Sequence, residues 1–246
     1  MRSVLFANGQ VGDEATTWLL NHFRDDLVAL ITIEDSPIAQ QGIDRDLKTF
    51  TYSNDESLKD WLKSNVEHFD LGLLIWWPRI LPPELIGLAS VGFFNTHPSF
   101  LPFNRGKHYN FWCLVEEAPF GVTIHRALPE VDAGPIVSQF EIPYTWEDDG
   151  ETLYFKATKA MVELVKETYP LLRSGEFEER PQILTEGSFH YGLEIEEASH
   201  IDLDRTYQAR DLLNRLRART FSGHPACSFV DAGERFEVRV DIRRVT

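Results

Sequence analysis

Two apolar segments constrain the fold of this chain more than any other feature of its sequence. Leu27 to Ile33 and Leu71 to Trp77 are almost wholly apolar, and an amphipathic helix is predicted between them over Asp55 to Phe69. Strands of this kind need cover on both faces of their sheet. Strand, helix and strand in this order are typical of parallel βαβ units. With a further buried strand at Val4 to Ala7, the sequence predicts an α/β fold with a Rossmann-like, doubly wound, mostly parallel sheet.

The loop after the first predicted strand carries two glycines. Asn8 to Gly12 includes Gly9 and Gly12 but lacks the third glycine of the dinucleotide-binding pattern G-x-G-x-x-G, so we reject that function. A helix is predicted to follow this loop. After the second strand, the acidic and polar stretch from Glu34 to Asp46 is predicted to be a surface loop.

A polar pair ends the strand that is predicted over Phe93 to His97. Side chains alternate between faces along a strand, so Asn95 and His97 point to one face and Thr96 to the other. Pro98 cannot donate a ladder hydrogen bond and should end the strand. Ligands of open α/β sheets usually bind at such carboxyl ends. Taken alone, the pair fits a ligand site and a solvent-facing strand end equally well.

A second stretch favours the ligand site. Residues 121–125 are Gly-Val-Thr-Ile-His, and residues 130–137 contain the run Asp-Ala-Gly-Pro-Ile that begins at Asp132. Together with Asn95-x-His97-Pro-Ser, this pattern resembles the formyltransferase family that takes its formyl group from 10-formyltetrahydrofolate. The resemblance implies that Asn95, His97 and Asp132 are the catalytic residues. It is clear over about residues 70–140 and looser elsewhere.

Formyl transfer to an amine suits these three residue types. Asn95 offers amide hydrogens that do not titrate, which suits a developing oxyanion. His97 titrates near neutrality and can take the amine proton or pass one on. Asp132 can hold His97 in one orientation, although an aspartate just before Gly134 is also typical of a turn. His125 is more typical of a packed histidine than of a catalyst.

The same resemblance implies further contacts. The segment Pro78 to Pro82 resembles the family's pteridine-binding loop, and it also fits a simple turn before a helix. The residues implied to bind the folate cofactor are Arg79, Ile80, Leu81, Val131 and Asp132. The residues predicted to bind the acceptor substrate are Asn8, Gln10, Arg105, Lys107, His108 and Tyr109. His108 and Tyr109 depart from the family's usual residues after Arg-Gly, which leaves the acceptor open.

Charge and composition limit the partners of the chain. Its 246 residues include 39 acids and 24 bases, and the net charge of −15 repels nucleic acid and anionic membranes. No apolar run reaches the roughly 20 residues of a membrane span, and the amino terminus does not resemble a signal peptide. Cys113 and Cys227 have no metal or redox spacing, and the histidines are scattered. We therefore expect a soluble, cytoplasmic protein without a metal, nucleic-acid or membrane partner.

Periodicity is lost after Gly175, where a long helix should end. We predict a catalytic domain at residues 1–175 and a C-terminal extension at 176–246, which contains a helix over 206–220 and a β-hairpin after it. One helix and one hairpin cannot bury their own apolar residues, so we expect the extension at the contact of a homodimer. The arginines of this helix either bind a substrate diphosphate or form a solvated face paired with acids: Arg210, Arg215, Arg217 and Arg219.

The family formylates several amines, and three functions stay open. The best fit is its sugar branch, which formylates nucleotide-linked amino sugars for surface polysaccharide; a dTDP-4-amino-4,6-dideoxyhexose is our first expectation. The segment Leu212 to Ala218 resembles the beginning of the C-terminal region of methionyl-tRNA formyltransferases. Those enzymes, however, carry a basic insertion in the catalytic domain, whereas the loop after the second strand of this chain is acidic. A binding module without catalysis would not need all of Asn95, His97 and Asp132.

Overall fold

The computed structural model describes residues 1–245, which form two compact units. The first unit comprises residues 1–97, 123–139 and 158–182. The second comprises residues 98–122, 140–157 and those from 183 onwards. Each unit is assembled from separate stretches of the chain. The predicted division into residues 1–175 and 176–246 stays a prediction.

A seven-stranded sheet dominates the fold. The strands in residues 1–245 are β1 (Ser3–Ala7), β2 (Leu27–Thr32), β3 (Lys48–Thr51), β4 (Leu71–Ile75), β5 (Gly92–His97), β6 (Arg105–Gly106), β7 (Gly121–Arg126), β8 (Ile136–Glu141), β9 (Phe189–His190), β10 (Cys227–Asp231) and β11 (Glu234–Val238). The large sheet has the order β3-β2-β1-β4-β5-β7-β8. Strands β1 to β5 pair in parallel, and β5 pairs antiparallel with β7. The predicted mostly parallel α/β sheet is confirmed.

Helices connect the strands, as expected for parallel neighbours. Those in residues 1–245 are α1 (Gly9–His22), α2 (Pro37–Ile43), α3 (Asp55–Asn65), α4 (Pro83–Ile86), α5 (Tyr109–Glu116), α6 (Gly150–Ser174), α7 (Glu194–Ala198) and α8 (Ala209–Ala218). Short 3₁₀ turns lie at Arg24–Asp26 and Leu184–Glu186. None of the helices in this range is long and apolar enough to cross a membrane.

Buried apolar side chains explain why the central strands form. Every residue of β1 and β4 is buried. Phe6 of β1 contacts Phe93 of β5 and Trp77 edge-on, with ring centroids 5.6 and 5.2 Å apart. Burial of each such side chain stabilises the fold by about 1.5–3 kcal/mol. This core fixes the register of β4 and β5, and with it the position of the residues at their carboxyl ends.

The predicted surface loop from Glu34 to Asp46 is wrong. It contains α2, whose Ile38 and Ala39 are buried, and β3 follows at the sheet edge. Ser36 is the N-cap, since its hydroxyl accepts a hydrogen bond from the Ala39 N–H. Serine followed by proline at the first helical position is a recognised helix start, and it outweighs the acidic composition of the stretch.

The first helix also begins earlier than predicted. Residues 8–12 are not a loop, because α1 starts at Gly9 and only Asn8 lies outside it. The Gly12 N–H donates to the Asn8 carbonyl, which closes the first turn. The strand-to-helix connection is therefore a single residue.

The C-terminal elements match the predicted types with shorter bounds. Helix α8 covers residues 209–218 instead of 206–220, and the hairpin is formed by β10 and β11. Ile201, Leu216 and Cys227 form a small buried cluster beneath them. The hairpin and helix therefore bury only a few of their own apolar residues, as expected from their size.

Candidate active site

The carboxyl end of β5 presents its side chains as the alternation rule predicts. Asn95 and His97 both lie beside Asp132, whereas the Thr96 hydroxyl donates to the Leu74 carbonyl at 3.1 Å. The Trp76 N–H in turn donates to Thr96, at 2.9 Å. Thr96 thereby ties β5 to the end of β4, and its neighbours are left facing the opposite side.

Asp132 is held in place by its own loop. Its φ of +51° is left-handed, a conformation that costs about 1–2 kcal/mol in most residues but is more accessible to aspartate. Two residues later, a Cβ on Gly134 would lie 1.8 Å from the Arg126 carbonyl oxygen, so only glycine fits. The Gln182 amide donates to the Asp132 and Gly134 carbonyls at 2.9 and 2.7 Å. The Asp-x-Gly spacing thus has a steric reason at its glycine.

Four polar side chains converge at this point. Asp132 places Oδ2 3.4 Å from His97 Nδ1 and Oδ1 3.5 Å from His125 Nε2. The Asn95 Nδ2 lies 3.4 Å from the same Oδ1 and 3.3 Å from His125 Nε2. We name these four residues the Asp132 centre. The distances between these four side chains exceed the usual range for hydrogen bonds, so they can shorten when a substrate binds.

His125 is the member of the Asp132 centre that sequence reasoning missed. It lies directly opposite Asn95 in the antiparallel pairing of β5 with β7. Its Nδ1 lies 2.9 Å from the Arg126 carbonyl oxygen, which can only accept, so Nδ1 carries a proton. In neutral His125 the Nε2 lone pair then faces the Asn95 amide. His125 therefore sets the orientation of that amide group.

Burial strengthens the electrostatics of this centre. The side chains of His97, His125 and Asp132 are 7%, 2% and 11% exposed. Charges interact more strongly in such surroundings than in water. A fixed amide donor, an imidazole and a carboxylate together can stabilise an oxyanion and move a proton, which are the requirements of acyl transfer. Among residues 1–245, no group of side chains has the composition of a metal site.

The other predicted binding residues of the first unit differ in their exposure and in their contacts. After β4, the Ile80 side chain is 70% exposed, whereas Leu81 is buried in the core. Asn8 precedes α1 and donates its backbone N–H to the Ile75 carbonyl at the end of β4. Gln10 lies in the first turn of α1, and its amide donates to Glu14 at 2.8 Å. The roles predicted for Arg79 and Val131 stay predictions, as do those of these four residues.

The remaining predicted acceptor residues lie in the second unit. Arg105 is in β6 and Lys107 follows it; Tyr109 begins α5. His108 has a φ of +59° and places its Nε2 3.1 Å from the Gly192 carbonyl. Burial lowers the pKa of His108, because the charged imidazole would lose hydration. Burial also raises the pKa of the Tyr109 hydroxyl, so it stays protonated.

Comparison with known proteins shows the family of this chain. Residues 25–168 match the formyl transferase family, and residues 194–244 match the N-formyltransferase dimerization C-terminal domain. The chain belongs to the formyltransferase family.

Several proteins of known name are similar to this chain. The chain is 33% identical over 177 residues to a dTDP-4-amino-4,6-dideoxyglucose formyltransferase of Mycobacterium tuberculosis, which covers 71% of this chain and 74% of that protein. A 4-N formyltransferase from Francisella tularensis has a TM-score of 0.82 at 19% identity, over 99% of this chain and 98% of the other. An N-formyltransferase from Helicobacter canadensis, in complex with folinic acid and dTDP-3-aminofucose, has a TM-score of 0.71 at 17% identity, over 95% and 85%.

Proposed function

We propose that this protein transfers the formyl group of 10-formyltetrahydrofolate to the amino group of a nucleotide-linked amino sugar. The first choice of acceptor is a dTDP-4-amino-4,6-dideoxyhexose, and the product would serve surface polysaccharide synthesis in the cytoplasm. The observation that carries the proposal is the convergence of Asn95, His97 and Asp132 within 3.5 Å in a chain of the formyltransferase family. The Mycobacterium relative, which is named for a 4-amino sugar substrate, supports the choice of acceptor.

Three residues of the Asp132 centre have a step in this proposal. When bound, the folate supplies a formyl carbon that exchanges its bond to the folate nitrogen for one to the sugar amine, giving a formamide and tetrahydrofolate. Asn95 donates to the formyl oxygen as negative charge develops on it. His97 takes the proton that the amine loses and delivers it to the departing nitrogen. Asp132 orients His97 and stabilises its charged form.

The segment after β4 in the first unit has features that suit the binding of a folate. The pterin is a flat ring with many polar edges, and it needs an apolar wall together with exposed backbone groups. Ile80 presents an exposed apolar side chain in the connection after β4, and Pro82 is the N-cap of α4, which begins at Pro83. The segment at residues 78–82 would hold the ring, with Arg79 available to the acidic tail of the folate.

Direct assay tests the proposal. The chain is mixed with 10-formyltetrahydrofolate and, separately, with dTDP-, UDP- and GDP-linked amino sugars, and the products are identified by mass spectrometry. We expect a formamide with a dTDP-linked 4-amino sugar and a lower kcat/KM with the other acceptors. Formylation of none of these sugars, with donor that is active in a reference enzyme, would overturn the proposal.

Methionyl-tRNA is the alternative acceptor within the family. The net charge of −15 opposes the binding of a polyanion, and acids flank helix α2, which itself carries no charge, in the stretch that was predicted as a loop. In the same assay, charged initiator tRNA should give no formylmethionine. Micromolar tRNA binding that weakens steeply with salt would favour the alternative.

The proposed enzyme is a homodimer. The match of residues 194–244 to a dimerization domain supports this, as do large apolar side chains left exposed there. Leu213, Val230 and Phe236 are 40%, 53% and 42% exposed. Light scattering should give twice the chain mass, and Val230→Asp with Phe236→Asp should give monomers. A wild-type protein that stays monomeric at high concentration would contradict the dimer.

A further inference from the structure

One segment of the second unit contacts most of the predicted acceptor loop. We name residues 188–194 the strap and residues 104–108 the acceptor loop. The two run in parallel as β9 and β6, with Arg105 opposite Phe189 and Gly106 opposite His190. Because the strap follows the acceptor loop by more than eighty residues, this pairing is a long-range contact and not a local turn.

Backbone and side-chain bonds join the strap to each part of the acceptor loop. The Arg105 N–H donates to the Ser188 carbonyl at 3.1 Å, and the Lys107 N–H donates to the His190 carbonyl at 3.0 Å. A Cβ on Gly106, whose φ is +88°, would lie 2.3 Å from that same His190 oxygen. The Arg105 guanidinium lies 5.7 Å from the centre of the Phe189 ring. The strap therefore sets the path of the acceptor loop.

His190 occupies the middle of this contact. Its Nε2 lies 2.7 Å from a Glu116 oxygen and its Nδ1 3.0 Å from a Glu194 oxygen. Its ring stacks on Trp112, with centroids 3.8 Å apart and planes 7° from parallel. The His190 side chain is 12% exposed. We name His190, Glu116, Glu194 and Trp112 the His190 centre.

Carboxylates on both sides determine the charge state of the ring. An ionised carboxylate only accepts, so both ring nitrogens of His190 must donate, and only the imidazolium carries both protons. The hydrogen bond from His190 lowers the pKa of Glu194, which keeps that partner ionised. The charged groups that face the ring are Glu116 from α5 and Glu194 from α7, and Trp112 covers one of its faces.

Glu116 extends the centre into the acceptor loop itself. Its second oxygen accepts from the Asn104 amide and from the Ser188 hydroxyl, both at 2.7 Å. Ser188 also accepts from the Asn104 N–H at 3.2 Å. Loss of the His190 cation would leave Glu116 with neutral donors only, which would weaken the anchor that joins Asn104 of the acceptor loop to Ser188 of the strap.

We propose that His190, as an imidazolium between Glu116 and Glu194, is a positioning residue that holds the acceptor loop in the conformation that binds the nucleotide sugar. The inference rests on the proposed function and goes beyond it, since it assigns the strap to acceptor recognition. His190 itself does not touch the reacting atoms. Its effect is on the binding of the acceptor and not on the chemical step.

Steady-state kinetics with the dTDP-amino sugar distinguish an effect on acceptor binding from an effect on the chemical step. His190→Gln keeps a polar side chain of similar size but is uncharged and carries its donors on one nitrogen instead of on two sides of a ring. We expect KM for the acceptor to rise roughly tenfold or more, with kcat and KM for the folate within about threefold of wild type. His200→Gln, an exposed histidine outside the strap, is the matched control and should change none of these values.

Two further measurements keep the inference testable if His190→Gln folds poorly. Glu194→Gln alters a half-exposed partner and should raise KM for the acceptor by a smaller factor, roughly threefold. Nitrogen NMR of the wild-type imidazole should show both ring nitrogens of His190 protonated at neutral pH.

Distinct results would overturn this inference and the proposed function. If wild type formylates the sugar but the strap variants keep its KM, or if His190 is neutral, the positioning role is wrong. If the wild type formylates no sugar at all, the proposed function fails instead.

Discussion

The Asp132 centre and the His190 centre both place histidine beside a carboxylate, but the distances between their groups differ. In the Asp132 centre, the distances between the four side chains are 3.3–3.5 Å. In the His190 centre, one histidine and two carboxylates lie 2.7–3.0 Å apart, and the remaining oxygen of Glu116 has two donors. The contacts of the first centre can shorten when a substrate binds, whereas the histidine and the two carboxylates of the second already lie at ideal hydrogen-bond distance.

This difference distinguishes residues that take part in the reaction from residues that fix a backbone segment in place. Catalytic hydrogen bonds are often long in the absence of substrate and shorten when it binds. A group that fixes a backbone segment works best when all of its donors and acceptors are satisfied. Substitutions in the two centres should therefore affect different kinetic constants.

The largest effect is expected from His97→Asn in the Asp132 centre. Without an imidazole, no group takes the amine proton, and kcat should fall by roughly a hundredfold or more. The folate KM and the unfolding temperature should stay close to wild type, because asparagine still fits the strand end. Retention of more than about a tenth of wild-type kcat would mean that His97 is not the main acid/base.

Asp132→Asn tests the same centre with a nearly isosteric change. The amide cannot stabilise a charged His97, and a loss of roughly a hundredfold in kcat is expected. Glu130→Gln, an exposed acid of the same loop, is the matched control and should retain wild-type kcat. Equal losses in both variants would point to general charge in the loop instead of a specific contact.

Arg217 is a buried arginine that is expected to contribute to stability and not to catalysis. It is 4% exposed, donates to the Thr145 and Asp148 carbonyls at 2.7 and 3.0 Å, and lies 4.5 Å from the Trp146 ring centre. Arg217→Met should lower the free energy of unfolding by about 2 kcal/mol, since both carbonyls lose their donor. Unfolding in denaturant measures this change in the free energy of unfolding.

The control for Arg217 is an exposed arginine of the same helix. Arg210 pairs with Glu117 at the surface, so Arg210→Met should cost less than about 0.5 kcal/mol. Similar losses in both variants would contradict the structural role of Arg217. Neither variant should change kcat by more than about twofold, because both residues lie outside the two centres.

The smallest expected effect concerns the two buried thiols. Burial raises the pKa of Cys113 to about 12 and that of Cys227 to about 11, from an ordinary value of 9.0. The folded chain keeps these protons where the unfolded chain loses them. Their contribution to stability is therefore complete below pH 9 and is lost as the pH rises towards 11 and 12.

Thiol chemistry checks this account. Native protein at pH 8 should not react with an aromatic disulfide reagent, while unfolded protein should react at both thiols. Cys113→Ala with Cys227→Ala should lose less stability than wild type between pH 9 and pH 11. Rapid labelling of the native chain would show that these side chains are not buried.

Much of the Asp132 centre could be predicted from the sequence because its parts are local. Strand alternation places Asn95 and His97 on one face, and Pro98 ends the strand in the structure as predicted. The pairing that brings His125 opposite Asn95 could not be predicted, because it needs the antiparallel register of β5 and β7. Nothing in the sequence around His125 distinguishes it from a packed histidine.

The second unit was less predictable because its contacts join distant parts of the chain. The strap pairs with the acceptor loop across a long sequence separation, and short segments such as β6 and β9 have no periodic signal. The predicted solvated or diphosphate-binding arginine face is wrong for Arg217, which is buried against carbonyls of residues 145 and 148. Such burial depends on tertiary neighbours that composition does not reveal.

The central claim is that the Asp132 centre transfers the formyl group while the His190 centre holds the acceptor loop. A single-turnover experiment tests it most directly, with isotopically labelled 10-formyltetrahydrofolate and saturating dTDP-4-amino-4,6-dideoxyglucose. Label should enter the sugar at similar rates in wild type and His190→Gln, and at least roughly a hundredfold more slowly in His97→Asn. Comparable transfer by His97→Asn, or an equal loss in both variants at saturation, would contradict the claim.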